Sequence, residues 1–237
     1  MTVTLEPLTL DSLKSLCVAE LEKRILSGEM AIGERMPSER DLAAMLKISR
    51  PVVHDALSEL AAKGILEVRP RRGTFVADFH NNASFSILPS LLRFYEGDLR
   101  KDYFSSLLEM RMLIECECAR VAASCRKKEH LERLQKYLDQ EKTLDLDDIQ
   151  ALSQTDFEFH LLCALASGNV LYPMIINSFK PIYTSITSRF YAKHRHDTVI
   201  AEVFNFHLNL VTAIQNRKTE EARKIMEEML THGAINL

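Results

Sequence analysis

In the stretch TDFEFHLL, residues 155 to 162, Asp156 stands four residues ahead of His160. On a helix that spacing sends both side chains off one face. A carboxylate and an imidazole aimed at one point can hold a metal ion, and they can equally form a buried hydrogen-bonded pair. Other residues with chemical potential are Cys116 and Cys118, and the run Lys193, His194, Arg195, His196. Residues two apart on a helix point roughly opposite ways, so the two cysteines read as packing residues. The basic run reads as a solvated helix end or loop. A third cluster, Arg69, Arg71 and Arg72 around Pro70 and Gly73, is suited to phosphate.

The elements that must position these groups differ along the chain. Residues 10 to 27 carry Leu13, Leu16, Leu21, Ile25 and Leu26 at helical spacing, and Gly28 ends the helix. After a Gly- and Pro-containing connector, Ser38 reads as the N-cap of SERDLAAMLKI, with Glu39 and Asp41 in the first turn. Ser49 reads as the cap of a further helix with Pro51 in its first turn. Val52, Val53, Ala56, Leu57, Leu60 and Ala61 form its apolar side, and Gly64 closes it. Past Gly64 the period changes to two. Ile65, Leu66 and Val68 precede RPRRG and TFVA follows, which predicts a β-hairpin with an arginine tip. Short helices joined by a tight turn, then a hairpin, make a winged helix-turn-helix. From about residue 84 onward the pattern is helical. Segments 104 to 123, 129 to 141, 148 to 166, 169 to 191 (one kinked helix or two), 199 to 215 and 219 to 230 predict an all-α antiparallel bundle. The fold class expected is therefore mainly α, with domains at 1–77 and 85–237 joined by a linker at 78–84.

Composition bounds the compartment and the partners. The 237 residues are 46% hydrophobic and 27% charged, enough to bury a core throughout. The start has no basic segment followed by an apolar run, and no stretch reaches the ~18 apolar residues of a membrane span. Five scattered cysteines suit reduced thiols, and the expected location is cytoplasmic. Net charge is −3, yet residues 35 to 76 hold eight basic against five acidic residues. That local excess fits a contact face for nucleic acid.

The run GERMPSERDLAAMLKISRPVVHDALSELAAKGILEVRPRRGTFV, residues 33 to 76, resembles the GntR family of bacterial transcription regulators. The pieces PSER-x-LA, SR-P-V, AL-x-x-L-x-x-x-GI and RRGTFV carry the likeness. SSLLEMRMLIECECARVAA, TDFEFHLLCALASGNVLY and FHLNLVTAIQNRKTEEARKIMEEML resemble the effector-binding domain of the FadR subfamily, so the resemblance spans nearly the whole chain. It implies a cytoplasmic homodimer that binds double-stranded, palindromic operator DNA and responds to an effector. The implied DNA-binding residues are Arg35, Ser38, Arg40, Ser49, Arg50, His54, Arg69, Arg71, Arg72 and Gly73, with Gly73 letting the wing approach DNA. His54 stands where the family usually has Arg, which implies an altered operator.

Many members of the subfamily hold a divalent metal through Asp-x3-His and two later histidines. Asp156, His160 and His207 match the first three positions, while the fourth falls on Met229. Thioether is a poor ligand for zinc, manganese or nickel. Either His232, one turn farther along, completes the set, or water or the effector does. The resemblance also implies effector contacts from Arg111, Asn169, Tyr183 and Arg189. Arg111 could pair the effector's carboxylate or phosphate, or form an internal ion pair with Glu115. The expected effector is a small organic acid, with a fatty acyl-CoA as the alternative. A metal-dependent hydrolase would need an open metal position plus a general base, and no base has the right spacing; an enzyme is not expected. A helix pair serving only interaction with other proteins is the other rival.

Overall fold

The computed structural model describes residues 11–82, 84–94, 101–195 and 198–237, and by compactness the chain divides into Met1–Glu96 and Gly97–Leu237. His196 of the basic run lies outside the described residues.

In the first unit, α1 (Asp11–Leu26), α2 (Glu39–Leu46) and α3 (Arg50–Ala62) precede an antiparallel hairpin, β1 (Leu66–Arg69) and β2 (Gly73–Val76). The buried face of α1 is Cys17, Val18, Leu21 and Ile25. Leu13 and Leu16, expected on that face, are 44% and 66% exposed, because a face set by residues 17, 18, 21 and 25 turns them outward. Ser38 caps α2 as expected: the Asp41 amide donates to its Oγ at 3.2 Å, and its hydroxyl donates to the Asp41 carboxylate at 2.6 Å. Lys47 ends α2 in the left-handed region, which turns the chain sharply into α3. Ser49 takes the N-cap position of α3 with an extended backbone, yet its hydroxyl makes no cap hydrogen bond. Val53, Ala56 and Leu60 on α3 are fully buried and form the centre of the unit.

The hairpin register pairs Leu66 with Val76 and Arg69 with Gly73, leaving residues 70 to 72 as the tip. Arg35 bridges to Phe75, so the connector before α2 adds a short third strand to the wing. The segment 78–84, read from composition as a linker, contains a one-turn helix, α4 (Phe79–Asn82). Next, α5 (Leu88–Phe94) belongs to the first unit rather than to the helical domain expected from residue 85 onward. The reason is a polar contact buried in this unit: the Ser90 hydroxyl donates to Glu22 at 2.6 Å, and Glu22 also accepts from Lys63 at 2.8 Å.

The second unit is a helical bundle of α6 (Lys101–Cys125), α7 (Lys128–Glu141), α8 (Ile149–Ala166), α9 (Leu171–Ser178), α10 (Lys180–Lys193), α11 (Val199–Gln215) and α12 (Thr219–Asn236). The segment 169 to 191 resolves into two helices, and Pro181 falls at the start of α10, where no amide donor is required. Helix α8 is buried over most of its surface, with Gln150 and Glu158 exposed. Phe159 and Cys163 face a cluster with Leu134, Leu210, Ile214 and Met226. Phe157 and Ala164 face another with Ile176 and Tyr183. Cys116 and Cys118 fall into these two different clusters, consistent with packing roles on opposite sides of α6. Asp156 and His160 are thereby carried into the centre of the bundle.

Candidate metal centre and nucleic-acid interface

Asp156, His160 and His207 each offer one ligand atom, and these atoms all lie within 4.8 Å of one another. They are 7%, 3% and 0% exposed. Asp156 and His160 come from α8 and His207 from α11, so two helices bring three donors to one point.

The surroundings assign a role to each atom. His207 Nδ1 lies 2.6 Å from Glu141 Oε1, and Glu141 also accepts the Tyr137 hydroxyl at 3.1 Å. His160 Nδ1 pairs with Glu115 Oε2, and Glu115 Oε1 accepts Arg111 Nε at 2.6 Å. A carboxylate only accepts, so Nδ1 of each ring carries the proton and Nε2 presents a lone pair. His207 Nε2 is buried, makes no hydrogen bond among the described residues, and lies 3.7 Å from Asp156 Oδ1. The Asp156 carboxylate accepts Tyr183 at 2.6 Å on Oδ2 and Tyr191 at 2.9 Å on Oδ1. Burial and the adjacent Asp156 charge push both phenols well above their ordinary pKa, so they remain donors. Burial works against ionising Glu115, but Arg111 and His160 outweigh it and hold its carboxyl down at about 2.

Carboxylate–histidine arms of this kind orient imidazole ligands and raise their basicity at metal sites. One carboxylate and two backed imidazoles therefore fit a divalent ion such as zinc, manganese or nickel. His232 is not in the group. It sits 3.4 Å from Glu202 and packs against Phe206, about 4.5 Å farther along the axis of α12 than Met229. Met229 lines the cavity beside the centre, and its thioether adds no suitable donor.

That cavity, open to solvent, has Arg111, Asp156, His160, Tyr183 and Tyr191 at its polar side. Phe104, Leu107, Leu108, Phe190 and Leu230 are among its apolar walls. Arg111 lies over the Tyr183 ring at 4.3 Å. Its pairing with Glu115 and its place on the cavity coexist, since Nε alone is used on Glu115. Asn169 and Arg189, expected with these two, do not line the cavity. Asn169 is exposed and its Oδ1 caps the start of α9 through the Leu171 amide, while Arg189 is on the exposed side of α10. Glu141 and Tyr191 were not anticipated, and Glu115 only as an ion-pair partner of Arg111. Only Glu115 had a local signal, its position four residues after Arg111.

In the first unit, Arg35, Ser38, Arg40, Arg50 and Gly73 line one open groove. Gly73 has φ +109°, and a Cβ there would meet Arg35 Nε at 3.1 Å. The glycine thus lets the Arg35 guanidinium lie against the wing, a tighter reason than approach to DNA alone. Arg71 and Arg72 stand exposed at the tip. Arg69 is drawn inward, bonded to Glu67 at 2.7 Å and stacked 4.4 Å over Phe75. Ser49 and His54 are exposed at and near the start of α3, outside the groove lining. Among the described residues no helix is long and apolar enough to cross a membrane.

Comparison with known proteins agrees with both halves. The family described as bacterial regulatory proteins, gntR family, matches residues 14–76, and the FCD domain matches residues 106–232. The HTH-type transcriptional regulator Mce2R of Mycobacterium tuberculosis is 34% identical over 76% of this chain and 74% of its own. The fatty acid metabolism regulator protein of Yersinia pestis is 26% identical over 85% of this chain and 79% of its own. A solved structure of Lar from Listeria monocytogenes shares the fold, with a TM-score of 0.65, 17% identity and coverage of 99% and 98% of the two chains. With its winged N-terminal unit and FCD bundle, the chain belongs to the GntR family and is a DNA-binding transcriptional regulator of the FadR-like group.

Proposed function

We propose that the FCD unit holds one divalent ion on Asp156, His160 and His207, and that a carboxylic acid bound in the adjoining cavity tunes the affinity of a cytoplasmic homodimer for a palindromic operator. The observation that carries this reading is the convergence of three buried ligand atoms within 4.8 Å, with both histidines tied through Nδ1 to buried carboxylates. A bound ion would supply a Lewis-acid position for a carboxylate oxygen. Arg111 holds a fixed positive charge beside it, and Tyr183 and Tyr191 hold Asp156 in place. Three protein donors leave room for water or the effector, so His232 is not required. The centre reads as a sensor rather than a catalytic site, in keeping with relatives named as regulators.

The experiment is metal content of the purified, untagged protein by elemental mass spectrometry, beside His160→Ala. About one metal per chain, lost in the variant, is expected. No metal after incubation with zinc, manganese and nickel would reduce the cluster to a structural hydrogen-bonded one.

The apolar walls favour a second reading, a fatty acyl effector. A further, narrow cavity shares Leu107, Arg111, Tyr183 and Ile186 with the first and is otherwise lined largely by Ile, Met and Phe. The name of the Yersinia pestis relative points the same way. Thermal shifts with lactate, citrate, octanoate and an acyl-CoA separate the readings, since only the second gains with chain length.

For the wing, Arg72→Ala is expected to weaken binding about equally on all duplexes and to lower the salt dependence by about one counterion, because phosphate contacts carry no sequence information. Titrations at several salt concentrations measure it. A changed sequence preference would make the wing a base reader.

A further inference from the structure

We infer that Glu39 is a specificity-determining positioning residue, which fixes the edge that His54 offers to DNA so that His54 reads an amino-bearing base when neutral and an acceptor-bearing base when protonated. Glu39 is the first residue of α2, and Arg50 and His54 lie one turn apart on the exposed side of α3. The carboxylate is divided between them: Oε2 accepts Arg50 Nε at 2.8 Å, and Oε1 lies 2.8 Å from His54 Nδ1. The side chain of Glu39 is 28% exposed, against 71% for Arg50 and 64% for His54, so the acid sits beneath two groups that stand over it. The His54 hydrogen bond, then that of Arg50, holds its carboxyl below the ordinary range, so it remains an acceptor.

Each inner nitrogen is thereby used, and each outer edge is left to the ligand. Arg50 keeps its two terminal Nη groups, the fork that matches guanine O6 and N7. His54 must place a proton on Nδ1 to face a carboxylate, so neutral His54 presents Nε2 as an acceptor. The major-groove partners for an acceptor are adenine N6 and cytosine N4, whereas guanine offers only acceptors. Once protonated, Nε2 donates; guanine O6 and N7, adenine N7 and thymine O4 become its partners, and cytosine, which offers only a donor there, is excluded. Arg35, Arg40, Asp41 and Arg50 line the same face, with Asp41 bonded to Ser38 and lying 3.8 Å from Arg40. His80, the other histidine in the first 96 residues, sits on α4.

The test is selection of full-length protein on randomised duplexes at about pH 8 and about pH 5.5, with anisotropy on the selected sequences, for wild type, Glu39→Ala, Glu39→Gln and His54→Gln. At the base that His54 contacts, wild type should favour cytosine over guanine at the higher pH and guanine over cytosine at the lower, by about tenfold in relative affinity. His54→Gln should lose the change. Glu39→Ala should lose the preference at the higher pH, and Glu39→Gln, whose amide oxygen still accepts from Nδ1, should keep part of it. The same ratio of guanine to cytosine at both pH values in wild type, or an unaltered preference in Glu39→Ala, overturns the inference. If no sequence is enriched at either pH, recognition by this unit fails altogether, and the inference with it.

Discussion

Asp156→Ala is expected to lower the stability of the helical unit by about 2–5 kcal/mol and to remove any response of its melting temperature to zinc or a chelator. Two opposed effects decide the sign. Burying an ionised carboxylate is costly, so deleting one relieves a penalty. Here that penalty is already offset, because Tyr183 and Tyr191 both donate to Asp156. The alanine leaves two buried phenol hydroxyls without an acceptor, at about 1–3 kcal/mol each, and this outweighs the relief. It also removes the one anionic donor among the three ligands. In wild type, bound metal stabilises the native state by mass action, so chelation should lower the melting temperature. Asp156→Asn separates the two contributions, since its amide oxygen still accepts from one tyrosine while its affinity for a divalent ion falls. Calorimetric melts of the three proteins, with and without zinc and chelator, measure both. An unchanged melt and a retained zinc response in Asp156→Ala would remove Asp156 from the ligand set.

What could be read from the sequence follows from which interactions are local. The Ser38 cap, the left turn after Gly64, the arginine-tipped hairpin and the helices of the bundle all rest on neighbours within a few residues, and the structure places them where the pattern indicates. Asp156 and His160 were visible because one turn of α8 puts them on one face. The carboxylates behind the histidines were not. Glu141 precedes His207 by 66 residues, and nothing in the polar face of α7 distinguishes it from Glu129 or Glu132. Glu115 was noticed only as a partner for Arg111, and its second oxygen on His160 depends on α6 packing against α8. The residues the structure leaves apart have the same origin. His232 attracts attention as a histidine near the expected fourth position, but it lies one turn farther along α12, beside Glu202. Asn169 serves a helix start and Arg189 an exposed face, since matching a motif does not fix which way a side chain points.

Arg50→Ala is expected to lower affinity for the selected operator by about 2–3 kcal/mol, that is roughly 30- to 150-fold, while affinity for random duplex falls far less. Arg50 opens α3, is 71% exposed on its side chain and contributes nothing to the cluster of Val53, Ala56 and Leu60 that holds the unit together. Stability should therefore shift by no more than about 0.5 kcal/mol, and the oligomeric state by light scattering should not change. The loss at the operator has two parts. The terminal Nη pair no longer reaches a base, which is the sequence-specific part. Glu39 also loses one of its two partners, leaving a carboxylate on the DNA-facing surface with only His54 beside it. That second part should shrink at low pH, when His54 is charged, so the penalty of Arg50→Ala should be smaller at about pH 5.5 than at about pH 8. Anisotropy on specific and random duplexes at both pH values measures each part. Equal losses on the two duplexes would make Arg50 a phosphate contact rather than a reader, and a changed oligomer would assign it to assembly instead.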